Sequence, residues 1–327
     1  MGERVTALRS FLLRRYYQSA VMGWSRPIAF HWVKVVTEDQ RWRWVRVDTG
    51  IRGRLLRHPP VHIYQTVLGF RTDGPPRGVM SQGHLLMGPL LFECDLLDKG
   101  EPFSLWRIMD GVETVKQLIE TVQDRGDYRV DRVVFSGSRG LHVLVSAPDE
   151  SVRPIPLVPG KTWPADLSAF VRERKQTARS IGRWCEGWDW TVSADIWRVA
   201  RVPWSMHGGS ALRAVAIKPP YTGATLREQL KSASPFSFSK RLRTRIVRPV
   251  PLFTFVDGET YGPFHKGWTI RVPIAVALHL IWLGLAKPRE AGPSRAGDWF
   301  ERGWQILFRS GAQTKAMAAA PAGGGCG

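Results

Sequence analysis

The chain has 327 residues, 43% of them hydrophobic, and its 47 Lys and Arg exceed its 28 Asp and Glu to give a formal net charge of +19. That length and apolar share describe a globular protein with a sizeable core and exclude a largely disordered one. The basic excess calls either for an anionic partner, with nucleic acid the first candidate, or for a generally solvated basic surface.

Leu8 to Tyr17 has helical apolar spacing with arginines on the other side. Ile28 to Val36 and Trp42 to Asp48 alternate like strands, Pro59 and Pro60 break the pattern, and an apolar run follows from His62 to Phe70. A loop rich in Gly and Pro, residues 72–83, leads into Leu85 to Leu97, read as one buried strand ending in acids. Val112, Val115, Leu118, Ile119 and Val122 share one face of a helix spanning Gly111 to Gln123. Arg132 to Ser146 reads as strand, glycine turn and strand, and this strand–helix–strand order predicts a mixed α/β core.

Pro154 to Pro164 is a connector, and Ala165 to Trp184 a basic helix. Ile246 to Phe255 and Trp268 to Val272 are strand-like. The most apolar stretch, Val272 to Ala286, is interrupted by His279 and is too short to span a membrane, so a buried helix is expected. From about Arg289 the chain turns polar and ends in AMAAAPAGGGCG, expected to be disordered. Cys94, Cys185 and Cys326 form no Cys-x-x-Cys pair, so neither a zinc ribbon nor a disulfide framework is expected. The first fifteen residues lack a secretory cleavage site, which with the cysteine usage points to the cytoplasm. The fifteen Trp and fourteen Phe are either stacking surfaces for bases or, more simply, core.

Three blocks carry chemistry. In FECDLLD, residues 92–98, Glu93 and Asp95 project from the same face of a strand, roughly 6.6 Å apart at the Cα atoms. Two carboxylates so placed suit a pair of divalent cations, although an acid-x-acid pair alone also describes a solvated strand end. In FSGSRGLHVLV, residues 135–145, a glycine turn exposes backbone N–H groups, Arg139 offers a phosphate fork, and His142 re-enters the strand facing the same site. The plain alternative is a hairpin with a core histidine. WDWTVSADIWRVARVPWSMHGG, residues 188–209, adds Asp189 and Asp195, then Arg198, Arg201, Ser205 and His207. Acids, then phosphate binders, then an acid with more phosphate binders make a coherent nucleotidyl-transfer site.

The three blocks resemble the signature of the archaeo-eukaryotic primase superfamily, specifically its small catalytic subunit. LLMGPLLFECDLLD is similar to the family's metal-binding strand, with Glu93-x-Asp95 where Asp-x-Asp is usual; SGSRGLH matches its Ser-Gly-x-x-Gly-x-His block; and Arg201, Pro203, Ser205, His207 and Gly208 fall in register with its third block. The likeness extends over roughly Leu8 to Ala286. It implies an α/β primase fold at 1–288 with a C-terminal extension at 289–327. It also implies a two-metal site of Mg2+ or Mn2+ held by Glu93, Asp95 and Asp189, with Asp195 as the alternative third ligand. Ser136, Arg139, His142, Arg201 and His207 would bind the triphosphate of an NTP or dNTP. The partners implied are a single-stranded DNA template and a primase large subunit, with no membrane; the Cys/His zinc-binding insertion common in the family is not recognisable here, so no structural zinc is expected. Arg26 precedes Pro27 where the family often has Arg-Glu, so a role for Arg26 stays open. Two other readings remain: a primase-fold polymerase that extends existing ends, and a non-catalytic nucleic-acid-binding subunit.

Overall fold

The computed structural model describes residues 3–19, 32–37, 41–46, 51–71, 84–86, 88–147, 154–155, 167–182 and 187–289. In chain order its elements are α1 (Glu3–Ser19), β1 (Trp32–Val36), β2 (Trp42–Arg46), α2 (Ile51–Arg57), β3 (His62–Thr66), β4 (Phe70–Arg71), β5 (His84–Leu86), β6 (Leu90–Asp95), α3 (Leu105–Arg125), β7 (Arg129–Phe135), β8 (Gly140–Ser146), β9 (Pro154–Ile155), α4 (Leu167–Gly182), β10 (Val199–Arg201), β11 (Val215–Ile217), α5 (Gly223–Leu230), β12 (Arg241–Ile246), β13 (Phe253–Thr254), β14 (Thr260–Tyr261), β15 (Thr269–Pro273), α6 (Ile274–Trp282) and β16 (Ala286–Pro288). The fold is mixed α/β, as expected. Arg26, Cys185, Cys326 and the polar tail from Glu290 onward lie outside the described residues.

Two four-stranded sheets frame the molecule, one ordered β10-β3-β1-β2 and the other β11-β7-β8-β6. The strand–helix–strand order is present as β6, α3 and β7, but β8 pairs antiparallel to both strands and lies between them. Ile108, Val112, Val115, Leu118 and Val122 recur at helical spacing on α3 and are buried in the main core with Val133, Leu141 and Val143.

The run read as one strand, Leu85 to Leu97, divides. Leu85 pairs with β4 and β9, whereas Leu90 to Asp95 pair with β8. Pro89 has no N–H to give a ladder, and Gly88 lies so close to β3's exit that a Cβ there would be 2.8 Å from the Val67 carbonyl oxygen. Ile246 to Phe255 divides similarly: Pro249 and Pro251 separate the end of β12 from β13.

Helix α1 buries Leu8, Leu12, Leu13, Tyr16 and Tyr17. It then fastens the third block: the Tyr16 hydroxyl donates to the Trp204 carbonyl, the Met206 N–H donates to the Tyr17 hydroxyl at 3.2 Å, and Arg9 donates to the Gly208 carbonyl at 2.9 Å. Helix α6 is wholly buried, His279 included. The His279 Nε2 accepts from the Phe103 N–H at 2.9 Å and its Nδ1 donates to the Ser210 carbonyl at 2.6 Å, which requires the neutral ring. Burial lowers its pKa to about 4. A histidine with a depressed folded pKa contributes stability present above the unfolded value of about 6.5 and lost as pH falls toward the folded value. Thermal unfolding followed from pH 7 to pH 4 is expected to show a loss reaching about 3 kcal/mol from this residue, and a shallower dependence in His279→Gln.

Candidate functional site

Asp189 stands opposite Glu93 in an isolated antiparallel bridge, each main-chain N–H donating to the other's carbonyl, and Glu93 pairs on its other side with His142 of β8. Residues directly opposite in a ladder share a face, so Asp189, Glu93 and His142 form one row across the sheet edge. Two residues farther along β6, Asp95 pairs with Gly140. No side chain fits at position 140, where a Cβ would be 1.9 Å from the Cys94 carbonyl oxygen. That glycine lets β8 approach the acid strand closely enough to bring the row together.

Ser193 holds this edge in place. Its hydroxyl accepts from the Leu91 N–H at 3.0 Å and donates to the Leu91 carbonyl, doing with a side chain what a neighbouring strand would do. Arg174, buried, reaches the carbonyls of Ser193, Gly88 and Pro89 at 3.0, 2.7 and 2.6 Å.

Each acid has a partner. Glu93 is ion-paired with Arg198, with His142 Nε2 3.7 Å from its other oxygen; Asp95 pairs with Arg139 at 2.7 Å; and Asp189 accepts from the Thr191 N–H at 3.0 Å and from its hydroxyl. Burial raises the Glu93 carboxyl above the usual carboxylate range, Arg198 opposes that shift, and Asp189 adds to it. Asp195 accepts from the Trp197 N–H at 2.9 Å within its own turn and is exposed. Among the described residues no three His, Cys, Asp or Glu side chains close on one point as a ready metal cage. The donor set of Glu93, Asp95 and Asp189 is nevertheless all carboxylate oxygen, with Asp189 opposite Glu93 and Asp95 two residues along β6. A set of hard oxygen donors like this would suit Mg2+ or Mn2+.

Beside the acids lies a cluster of basic side chains. Arg201 on β10 pairs with Tyr64 of β3, lies with its guanidinium 4.2 Å from the Tyr64 ring centroid, and donates through Nη2 to the Tyr64 hydroxyl at 3.0 Å and to His62 Nδ1 at 2.7 Å. It is 5% exposed, and its Nη1 has no partner. Burial and the Arg201 charge lower His62 to about 3 and His142 to about 4, and push His207 well below its ordinary value. His207 packs 4.8 Å from His62, edge to face, and its Nδ1 accepts from the Gly209 N–H at 3.2 Å. His142 Nδ1 and Arg198 Nε are also buried without partners. Ser136 Oγ accepts from the Gly140 N–H at 3.3 Å across the turn.

The third block stitches the two sheets. Asp189 sits at the edge of one, β10 joins the other, Ser210 Oγ donates to the Gly137 carbonyl, and β11 returns to the first. The structure therefore brings Glu93, Asp95, Asp189, Arg139 and His142 to one sheet edge, with Arg201 and His207 beside them.

A further row crosses the other four-stranded sheet. Arg201, Tyr64, Lys34 and Trp44 stand opposite one another across β10, β3, β1 and β2. Trp42, 45% exposed, continues the face, 6.3 Å from the Trp44 ring with the Lys34 ammonium 5.2 Å away. Val33, Val35 and Ile63 on the opposite face are core. The period-two alternation of WRWVR beside WVKVV carried this signal.

No protein-family model matches the chain, and no curated protein matches it. Among solved structures it is similar to the polymerase domain of Mycobacterium tuberculosis Ligase D in complex with DNA, at 14% identity and a TM-score of 0.35, over 70% of this chain and 88% of that one. It is also similar to the primase RepB′, at 11% identity and a TM-score of 0.27, over 68% of this chain and 61% of that one. Both likenesses are remote. No helix among the described residues is long and apolar enough to cross a membrane.

Proposed function

We propose that the chain is a primase: a nucleotidyltransferase that starts short strands from nucleoside triphosphates on single-stranded DNA, as the small catalytic subunit beside a large one. The observation that carries this reading is Arg201, a buried guanidinium that among the described residues has no carboxylate partner and an unpartnered Nη1, set beside a row of acids. Charge buried without a counter-ion is costly, and a site that keeps one is made for an anion supplied from outside. A triphosphate bridging that basic cluster and the acid row meets both needs.

A primer 3′-hydroxyl, or the first nucleotide's hydroxyl, attacks the α-phosphorus; the new phosphodiester forms as the bond to the β-phosphate oxygen breaks and pyrophosphate leaves. Arg201 and Arg198 neutralise the phosphates, Arg139 in the turn before β8 and His142 on β8 face them, and the neutral His207 and His62 shape the pocket. Glu93, Asp95 and Asp189 would hold Mg2+ or Mn2+, which when bound lowers the pKa of the attacking hydroxyl and stabilises the leaving group. The template lies along Tyr64, Lys34, Trp44 and Trp42, aromatic rings interleaved with cations.

Labelled nucleotide incorporation on unprimed and primed single-stranded DNA, with ribo- and deoxyribonucleotides tested separately and with either metal, tests the reading. Short new strands on unprimed template support it. Activity confined to primed template makes the chain an extending polymerase instead, and DNA binding with no incorporation makes it a non-catalytic subunit. Trp42→Ala is expected to weaken binding of a fluorescein-labelled oligothymidylate by about tenfold, the loss of one base stack, measured by anisotropy, and to leave triphosphate binding unchanged.

A further inference from the structure

The third sheet, β15-β12-β16, packs one face on α6, with Thr244, Ile246, Val272 and Ala286 buried. Its other face is cationic. Arg243 stands directly opposite Arg271, Arg245 directly opposite Lys287, and the Arg289 N–H donates to the Arg243 carbonyl at 3.3 Å. All five side chains are exposed, and among the described residues none is ion-paired with an acid. Like charges directly opposite in a ladder repel and destabilise a sheet. A folded sheet that keeps two such pairs and a fifth cation bears that cost on a patch of roughly 10 Å by 7 Å.

We propose that this face is a docking surface for the phosphate backbone of double-stranded DNA. Charge complementarity identifies a polyanion, and the absence of rings among the cations separates this face from the Trp42 row: it has forks for phosphates and nothing on which an unstacked base could lie. Trp268, 51% exposed, is at the end of the sheet, edge-on to His265 at 4.7 Å. A duplex, whose bases are already stacked, needs only the forks.

The surface stands on the sheet alone. An inactive protein that binds duplex through these residues sinks the proposed reaction and leaves the surface standing. The test is the full chain carrying Arg243→Gln, Arg245→Gln and Arg271→Gln together, titrated by anisotropy against a fluorescein-labelled blunt DNA duplex at several salt concentrations. The expected result is at least a tenfold loss of affinity and a log–log salt slope shallower by roughly 2 to 3, about 0.9 for each phosphate contact removed. Oligothymidylate binding should be retained, as should a melting temperature at or above the parent's, because repulsion has been relieved. Unchanged duplex affinity and slope would overturn the proposal. So would a variant that keeps its duplex affinity while losing attachment to phosphatidylserine vesicles, which would assign the face to a lipid surface.

Discussion

Asp95→Ala is expected to abolish nucleotide incorporation, by roughly a thousandfold or more, while leaving the protein folded. The two halves of this expectation have separate causes. Asp95 ends β6 with its side chain 58% exposed, and its ion pair with Arg139 is equally open to solvent, so losing it costs no more than about 1 kcal/mol of stability. Its neighbours Cys94 and Leu97 keep their place in the core. In the reaction, however, Asp95 is the most accessible carboxylate oxygen on the strand that Gly140 brings close, and the arginine now holding it is the group that would turn to phosphate. Steady-state incorporation beside a thermal melt checks both halves; an active variant would move the acid site elsewhere. Glu93→Ala is a less clean experiment, because it leaves the half-buried Arg198 without its carboxylate partner.

Much of this arrangement was legible in the sequence because it is local. The helical period of α3, the two-residue spacing of Glu93 and Asp95 and the glycine turn before His142 are short-range patterns that fix an element and its face. The rest depends on pairing across the chain. Asp189 beside Glu93 is a contact 96 positions distant, and its placement in the row came from the family resemblance, not from spacing. Leu85 to Leu97 is apolar throughout and so looked continuous; only Pro89, with no N–H, and the tight approach at Gly88 divide it between two sheets. Tyr64 and His62 passed as an apolar run because a strand with one core face and one site face carries useful residues at alternate positions, and the partner that gives them meaning, Arg201, is 137 residues beyond Tyr64. Ser136 Oγ accepts from the Gly140 N–H within its turn, a contact that uses an oxygen lone pair and leaves the hydroxyl hydrogen as a donor.

Arg201→Gln separates binding from folding. Triphosphate affinity is expected to fall by about a hundredfold, the loss of charge-assisted hydrogen bonds worth roughly 1.5–3 kcal/mol, read as the disappearance of the nucleotide's thermal stabilisation. The unliganded protein should melt at the parent's temperature or above it. Glutamine can still donate toward the Tyr64 hydroxyl or His62 Nδ1, and the substitution removes a buried charge whose Nη1 has no partner. Arg174→Gln supplies the contrast. That guanidinium is as buried, but it is saturated by the Ser193, Gly88 and Pro89 carbonyls, so its removal should cost about 3 kcal/mol of stability. Two arginines with equal exposure and opposite responses would show that the fold needs one of them and tolerates the other for the sake of an anion. If Arg201→Gln destabilised the chain as Arg174→Gln does and left triphosphate binding intact, the pocket would be structural and the phosphates would have to be held from the Arg139 and Arg198 side.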